Sequence, residues 1–264
     1  TVNFSHFRGY PHLYQIWRSN FESLNRTLHY CADNGWGLRV SSSLMPLCTH
    51  PEVNSDWSVV SDSIKVCAET IKKRGIRVSM HPGPYCVLES ENPQVVKNTL
   101  KELNWHGWLM DQLGTPRDYY APINTHIYTS KGDIHSIAGR FIRGFLQLDD
   151  SVKSRLAVEN NDKGGVWSCA ALLSFREMAA EYIGRIPITF DILHDQLLPS
   201  TRDAFQLCYE TWPVKPIFHY SEWEIPGATA HANLPTKRPF SDIVDWDIEL
   251  KGKDAAIKHF NSLK

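Results

Sequence analysis

The feature that most constrains this chain is an alternation, nearly end to end, of short apolar runs with longer stretches patterned for helices. Candidate strands are Phe7–Tyr10, Gly37–Ser41, Ile76–Met80, Ala121–His126, Arg155–Glu159, Ile186–Asp191, Lys215–His219 and Val244–Glu249. Between most of them apolar residues recur at helical spacing. Such stretches are Phe21–Asp33, with Asn20 as an N-cap type, then Trp57–Lys73, Pro93–Leu113, Ile134–Leu146, Ala170–Ile183, Asp203–Tyr209 and Asp254–Phe260. Strand–helix repeats build right-handed parallel units, and about eight of them favour closure into an α/β, (β/α)8 TIM barrel over an open sheet. A length of 264 residues suits one such barrel, so residues 1–264 are expected to form a single domain. No GxGxxG or GxxxxGK[ST] follows the first candidate strand, which argues against a nucleotide-binding open sheet. The Pro- and Gly-containing stretch Pro226–Pro239 reads as a long loop over the barrel mouth.

Composition narrows the function classes. The net charge is −1, so the chain carries no global basic field of the kind that drives purely electrostatic DNA binding. A local basic rim around an acidic site remains compatible with it. The six cysteines are scattered with no CxxC pair, which excludes a zinc ribbon and implies reduced, mostly buried thiols. No apolar run approaches the roughly 20 residues of a membrane helix, and no secretory signal is evident. A cytoplasmic setting is expected, in a cell's nucleoid when acting or in a virus-infected host, with the protein a monomer.

Chemistry is concentrated at strand ends. The second candidate strand leads to His50, the third ends in His81 and the fourth in His126. The fifth ends in Glu159, the sixth in Asp191 with His194 just beyond, and the seventh in His219. His231 lies in the following loop, and Glu249 ends the eighth. In a closed parallel barrel these ends meet on one face, where such folds hold their active sites. Each residue alone has a plain structural reading, as a satisfied core histidine or a helix-capping carboxylate. Recurrence at nearly every strand end is what those readings leave unexplained. Six imidazoles and three carboxylates aimed at one cavity require cations, and this donor mixture suits Zn, Mn or Fe better than Mg or Ca.

The same residues carry a family resemblance. The stretch from Asn34 to His50, an apolar strand running through Pro46 and Leu47 into a histidine, resembles the early segment of the UV damage endonucleases (UvdE/UvsE type). Val78 to Tyr85, with His81-Pro-Gly-Pro84-Tyr85, resembles their His-Pro-Gly-Gln-Tyr motif. Arg155 to Asp162 is similar to their Leu-Glu-Asn-Asp strand, and Ile186 to His194 to the strand carrying an Asp with a His three residues on. Asp247 to Asp254 resembles the terminal Glu-Ala-Lys-Gly-Lys-Glu. The likeness runs in order from Arg8 to about Ile257.

The resemblance implies a barrel related to endonuclease IV that holds two to three divalent ions, manganese first, with zinc, magnesium or cobalt as alternatives. It assigns His81, His126 and Glu159 to one ion, and a bridging Glu159 with Asp191, His219 and Glu249 to a second. His194 and His231 go to a third, which lacks an evident anionic ligand and is expected to be weak or absent. His50 would contact the scissile phosphate region, with Glu159, His50 and Lys131 as the catalytic set. Tyr10, Tyr85, Pro84, Lys251 and Lys253 would meet the DNA and its lesion. Clustered cations would activate water and stabilise the departing 3′ oxygen. The implied reaction is a nick on the 5′ side of a UV photoproduct in duplex DNA, leaving 3′-hydroxyl and 5′-phosphate. Two departures stand out. Pro84 replaces the family glutamine and cannot donate its hydrogen bonds. Ile217 stands where the family often has a lysine two residues before the histidine, Lys215 lying four before it. Three other readings stay open: a nuclease for abasic or modified sites, a metal-dependent sugar isomerase or epimerase, and a non-catalytic DNA-binding descendant.

Overall fold

The computed structural model describes residues 4–130, 132–162, 164–260 and 262–263. In chain order the elements begin with α1 (Tyr10–Asp33), β1 (Leu38–Val40), α2 (Ser61–Arg74), β2 (Val78–Met80), α3 (Pro93–Gln112) and β3 (Ile123–His126). Then come α4 (Ile134–Leu146), α5 (Asp150–Lys153), β4 (Leu156–Glu159), α6 (Cys169–Ile183) and β5 (Ile188–Thr189). The chain continues through α7 (Ile192–Leu197), α8 (Ala204–Tyr209), β6 (Ile217–Tyr220), β7 (Asp245–Ile248) and α9 (Lys253–Phe260). Among the described residues each ladder between these strands is parallel, as the alternation requires, and an isolated antiparallel bridge joins Trp223 to His231 outside them. The residues divide into two compact units, one running to Ile123 with Gln147–Arg155, the other comprising Asn124–Leu146 and Leu156 onward.

In the first unit α1 buries Leu13, Trp17, Phe21, Leu24, Leu28 and Cys31, a three-and-four spacing that forms one apolar stripe. Burying that many large side chains contributes on the order of 10 kcal/mol before chain entropy is counted. The expected first strand, Phe7–Tyr10, is not a strand. Tyr10 opens α1, and Pro11 sits in its first turn, where a missing N–H leaves no helical bond unmade. The helix therefore begins ten residues before the expected Asn20 cap. Asn20 instead lies mid-helix and donates from its side-chain amide to the Leu44 carbonyl at 2.8 Å. Among the described residues there are seven strands, not eight. Gly75, at φ 63°, ends α2 in the left-handed conformation that only glycine adopts without strain. β1 and β2 are in register Leu38↔Val78, and Met80 meets Ile123.

Arg155 locks the end of this unit. Its guanidinium is fully buried and donates to Asp111 Oδ1 at 2.9 Å, to the Ser151 carbonyl and hydroxyl at 2.8 Å each, and to the Pro116 and Thr115 carbonyls at 2.9 Å each.

In the second unit β4 pairs with β5 (Val158↔Ile188, Glu159↔Thr189) and β6 with β7 (Ile217↔Asp245 to Tyr220↔Ile248). A parallel bridge, Asp191↔His219, links the segment after β5 to β6. Phe175 of α6 packs edge-on against Phe141 of α4 and Trp167, and Phe205 of α8 against Phe190 and Phe218, covering the strands with aromatic surface. All six cysteines are buried and unpaired by disulfide, as expected. No helix among the described residues is long and apolar enough to cross a membrane.

Candidate metal centre

Parallel register brings the second unit's functional side chains to one level. Glu159 is the last residue of β4, His219 lies in β6 opposite Asp191, and Glu249 follows β7 with its N–H donating to the Tyr220 carbonyl at 2.8 Å. Asp191 is also the N-cap of α7: its Oδ1 accepts from His194 N at 2.7 Å, which fixes the turn presenting His194. Such a cap lets three residues of backbone carry an Asp and a His to the same point.

Glu159 is the centre of the cluster. Its Oε2 lies 3.0 Å from His219 Nδ1 and 3.5 Å from His126 Nε2, and its Oε1 lies 3.3 Å from His194 Nδ1. His219 Nδ1 is also 3.3 Å from Glu249 Oε1, and His194 Nδ1 is 3.8 Å from Asp191 Oδ1. Glu159, Asp191 and His219 are essentially buried, with relative exposures of 1%, 0% and 2%. Burial alone would raise the Glu159 carboxyl, but the imidazoles of His219 and His126, with hydrogen bonds from His194 and His219, hold it well below the ordinary range. Burial pushes Asp191 the other way, up to about 6, helped by the Glu159 and Glu249 charges. Burial alone would lower His194 and His219; the surrounding carboxylates overcome it and push them up to about 10 and about 9. The upward shift of both imidazoles reports the negative field of Glu159, Asp191 and Glu249, which favours positive charge here, either as protons on the rings or as metal ions in their place.

The donor set fits divalent ions. Glu159, Asp191 and His194 each offer a ligand atom within 4.8 Å of the others, and Asp191 Oδ2 is buried with no hydrogen-bond partner among the described residues. A bare buried carboxylate oxygen carries a desolvation penalty that a cation would offset. Imidazole nitrogens mixed with carboxylate oxygens suit first-row transition ions. His231 is held by its Nδ1 against the Glu249 carbonyl, and no three-ligand group among the described residues includes it.

Two residues the sequence reasoning passed over support this cluster. Asn124 donates from its side-chain amide to Glu159 Oε2. Asn160 is fully buried and clamps Asp191 from both sides: its Oδ1 accepts from Asp191 N at 2.7 Å, and its Nδ2 donates to the Asp191 carbonyl at 3.2 Å. Its own carbonyl accepts from His194 Nδ1 at 2.9 Å, directing that ring's Nε2 elsewhere. The signal available for Asn160 was its place beside Glu159.

The remaining sequence candidates fall as follows. In the first unit His81 follows β2, half-buried, with Nδ1 2.9 Å from the Pro82 carbonyl. His50 stacks on Phe4 at 4.3 Å, and its Nδ1 accepts from Glu52 N at 3.2 Å, so Nε2 carries the ring proton. Tyr10 is partly exposed between Phe7 and Tyr14, Pro84 is exposed, and Tyr85 is 62% exposed. Lys131 lies outside the described residues. Lys251 pairs with Glu224 at 2.8 Å, and Lys253 donates to the Ile248 carbonyl at 3.0 Å. Gly252 between them lies where the Asn233 carbonyl would stand 2.7 Å from any Cβ, so this position excludes a side chain.

Comparison with known proteins gives a consistent result. The family model described as UV-endonuclease UvdE matches residues 3–264. A UV DNA damage endonuclease of Bacillus cereus (strain B4264) is 29% identical over 271 residues, covering 93% of this chain and 80% of that protein. The solved structure of SacUVDE superposes with a TM-score of 0.86 at 30% identity, covering 100% of this chain and 93% of that one. Endonuclease IV from Thermus thermophilus gives a TM-score of 0.64 at 15% identity, over 90% of this chain and 93% of that one, a likeness of fold. The α/β TIM-barrel class expected from the strand–helix alternation is the class of these neighbours and of this chain.

Proposed function

Since this chain belongs to the UV-endonuclease UvdE family, we propose that it is a metal-dependent DNA-repair endonuclease that nicks the phosphodiester bond 5′ to a UV photoproduct in duplex DNA. The observation that carries the proposal is Glu159, a buried carboxylate within 3.5 Å of three imidazoles and beside the bare oxygen of Asp191. One family match over residues 3–264 supports reading the chain as a single domain.

His126, Glu159, Asp191, His194, His219 and Glu249 would hold two divalent ions, manganese first, with His81 and His231 as further ligands. Bound there, such ions supply Lewis acidity to the phosphoryl oxygens and to the attacking water. Water adds to phosphorus as the bond to the 3′ oxygen breaks, giving a 3′-hydroxyl and a 5′-phosphate. Nε2 of His50, which carries its proton, donates to a non-bridging phosphate oxygen and stabilises the charge that builds there. Asn160 keeps Asp191 and His194 oriented, because its two amide contacts fix the Asp191 backbone and the Asp191 carboxylate caps the turn that carries His194. Tyr85 offers an exposed ring for stacking beside displaced bases, and Tyr10 a second. Lys131, Lys251 and Lys253 are the phosphate-contacting lysines of this reading. Pro84, lacking an amide donor, favours a second reading in which abasic or otherwise modified sites are also accepted.

The test is a nicking assay on duplexes carrying a cyclobutane dimer, a 6-4 photoproduct, an abasic site or no lesion. Cleavage 5′ to the lesion should vanish with EDTA and return with manganese. Glu159→Gln should lower the rate at least ~100-fold while the far-UV circular dichroism stays unchanged, since it removes the anion shared by three imidazoles. Turnover indifferent to chelation, or to this substitution, would refute the assignment.

A further inference from the structure

The first unit contains a buried carboxylate that the reaction above does not use. Glu102 lies on the buried face of α3 with 6% exposure and accepts from two loops at once. Thr49 Oγ1, next to His50, donates to its Oε2, and Tyr85 OH donates to its Oε1 at 3.3 Å. One turn earlier on α3, Thr99 Oγ1 accepts from Val87 N at 2.9 Å, holding the Tyr85 loop a second time. Both loops need holding. The His50 loop contains Leu47 at φ 64°, a conformation costing about 1 kcal/mol or more for a residue with a side chain. The Tyr85 ring lies against Gly83, where any Cβ would collide with Cε1 of the ring. Tyr85 therefore has a seat: glycine leaves room for the ring, and a carboxylate receives the hydroxyl.

An apolar residue at this position of α3 would be the simpler core solution, because a buried carboxylate is expensive to desolvate. Burial pushes the Glu102 carboxyl up from its ordinary value, against the hydrogen bonds from Thr49 and Tyr85. What the carboxylate provides, and leucine could not, is two acceptor oxygens that tie two loops to one helix.

We propose that Glu102 is a positioning residue for lesion discrimination, holding the Tyr85 and His50 loops in one fixed relation so that the Tyr85 ring is set before DNA arrives. This rests on the nuclease reading, in which those two loops meet the substrate. Pre-ordering the ring removes an entropy loss that would otherwise be taken from binding. The effect falls on recognition, not on metal capture.

The experiment compares wild type with Tyr85→Phe, Glu102→Gln, Glu102→Leu and the double variant Tyr85→Phe/Glu102→Leu. Two quantities are measured: affinity for a fluorescent duplex with and without a cyclobutane dimer, in EDTA, and KM and kcat for nicking with manganese. Tyr85→Phe should lower the damaged-to-undamaged affinity ratio by roughly tenfold, about the weight of one hydrogen bond to a charged group. KM should rise, with kcat changing less. Glu102→Leu should match it, the double variant should add little, and Glu102→Gln, whose oxygen still accepts from one hydroxyl while its amide donates to the other, should recover most of the ratio. Should Glu102→Leu fail to fold, Tyr85→Phe and Glu102→Gln still decide the matter, the phenol being partly exposed. Unchanged ratios in Tyr85→Phe, equal loss on both duplexes, or strictly additive losses would overturn the proposal. Wild-type protein that nicks neither duplex would overturn the nuclease reading and this proposal with it; wild type that discriminates while the variants keep its ratio overturns this proposal alone.

Discussion

Asn160→Ala separates support of the metal ligands from simple packing. In the wild type, Asn160 closes two hydrogen bonds to the Asp191 backbone, at 2.7 and 3.2 Å, and is fully buried. Truncation strands the Asp191 N–H in the interior, while the Asp191 carbonyl keeps the Asp195 N–H at 3.0 Å. At about 1–3 kcal/mol for a stranded group, the expected destabilisation is about 1–3 kcal/mol. The more telling number is for metal. Residues that orient ligands typically change metal affinity by roughly 10–100-fold, and the Asn160 side chain fixes the backbone of Asp191, whose carboxylate in turn holds the His194 N–H. Manganese titration followed by the electron paramagnetic resonance of the free ion should show that weakening. Nicking should be restored in part by raising manganese. Asn160→Asp should behave differently: it can still accept from Asp191 N, but it sets a third carboxylate beside Glu159 and Asp191. That variant should be the less stable of the two in EDTA and recover the more stability on adding manganese. A manganese affinity unchanged from wild type in Asn160→Ala, with only the stability reduced, would refute the argument.

Two further outcomes concern the first unit. Arg155→Met should lower stability to urea by about 3–5 kcal/mol, because it takes the donor from the Thr115 and Pro116 carbonyls, although the Ser151 carbonyl keeps Ser154 Oγ at 3.4 Å and Asp111 keeps Arg117 at 2.6 Å; a loss under ~1 kcal/mol would contradict this. His106 is fully buried, its Nδ1–H donating to the Glu102 carbonyl at 2.8 Å, and burial holds its pKa down at about 4. The unfolded chain, with a histidine near ~6.5, then takes up the proton first, so stability falls as pH drops from about 6.5 towards 4, by up to roughly 3 kcal/mol. His106→Gln should flatten that part of the pH–stability curve, and a curve as steep as wild type's would show that other groups cause it.

How much of this was legible in the sequence depended on what each residue does. Glu159, Asp191 and His219 could be found because each closes or follows an apolar run, and parallel strands gather such positions. The start of α1 was misread because Phe7–Tyr10 followed by Pro11 has the composition of a short strand ending at a turn, whereas proline in a first helical turn is equally well placed. α7 was hidden for another reason: six residues are too few to reveal a period inside an apolar stretch. Asn124 and Glu102 gave no signal at all, and Asn160 only its adjacency to Glu159. A polar side chain counts as solvent-facing in any hydrophobic pattern, and only the folded geometry shows Thr99, Glu102 and His106 turned inward on α3.

The buried thiols have a practical consequence. Cys31, Cys48, Cys67 and Cys86 belong to the first unit and Cys169 and Cys208 to the second, all enclosed. Burial pushes Cys67 up to about 11 and raises Cys48 and Cys86 as well, so little thiolate exists to react while the protein is closed. Alkylation at these positions then times local opening, and peptide mapping of the labelled cysteines would tell which half of the protein breathes first under heat, chelation or substrate.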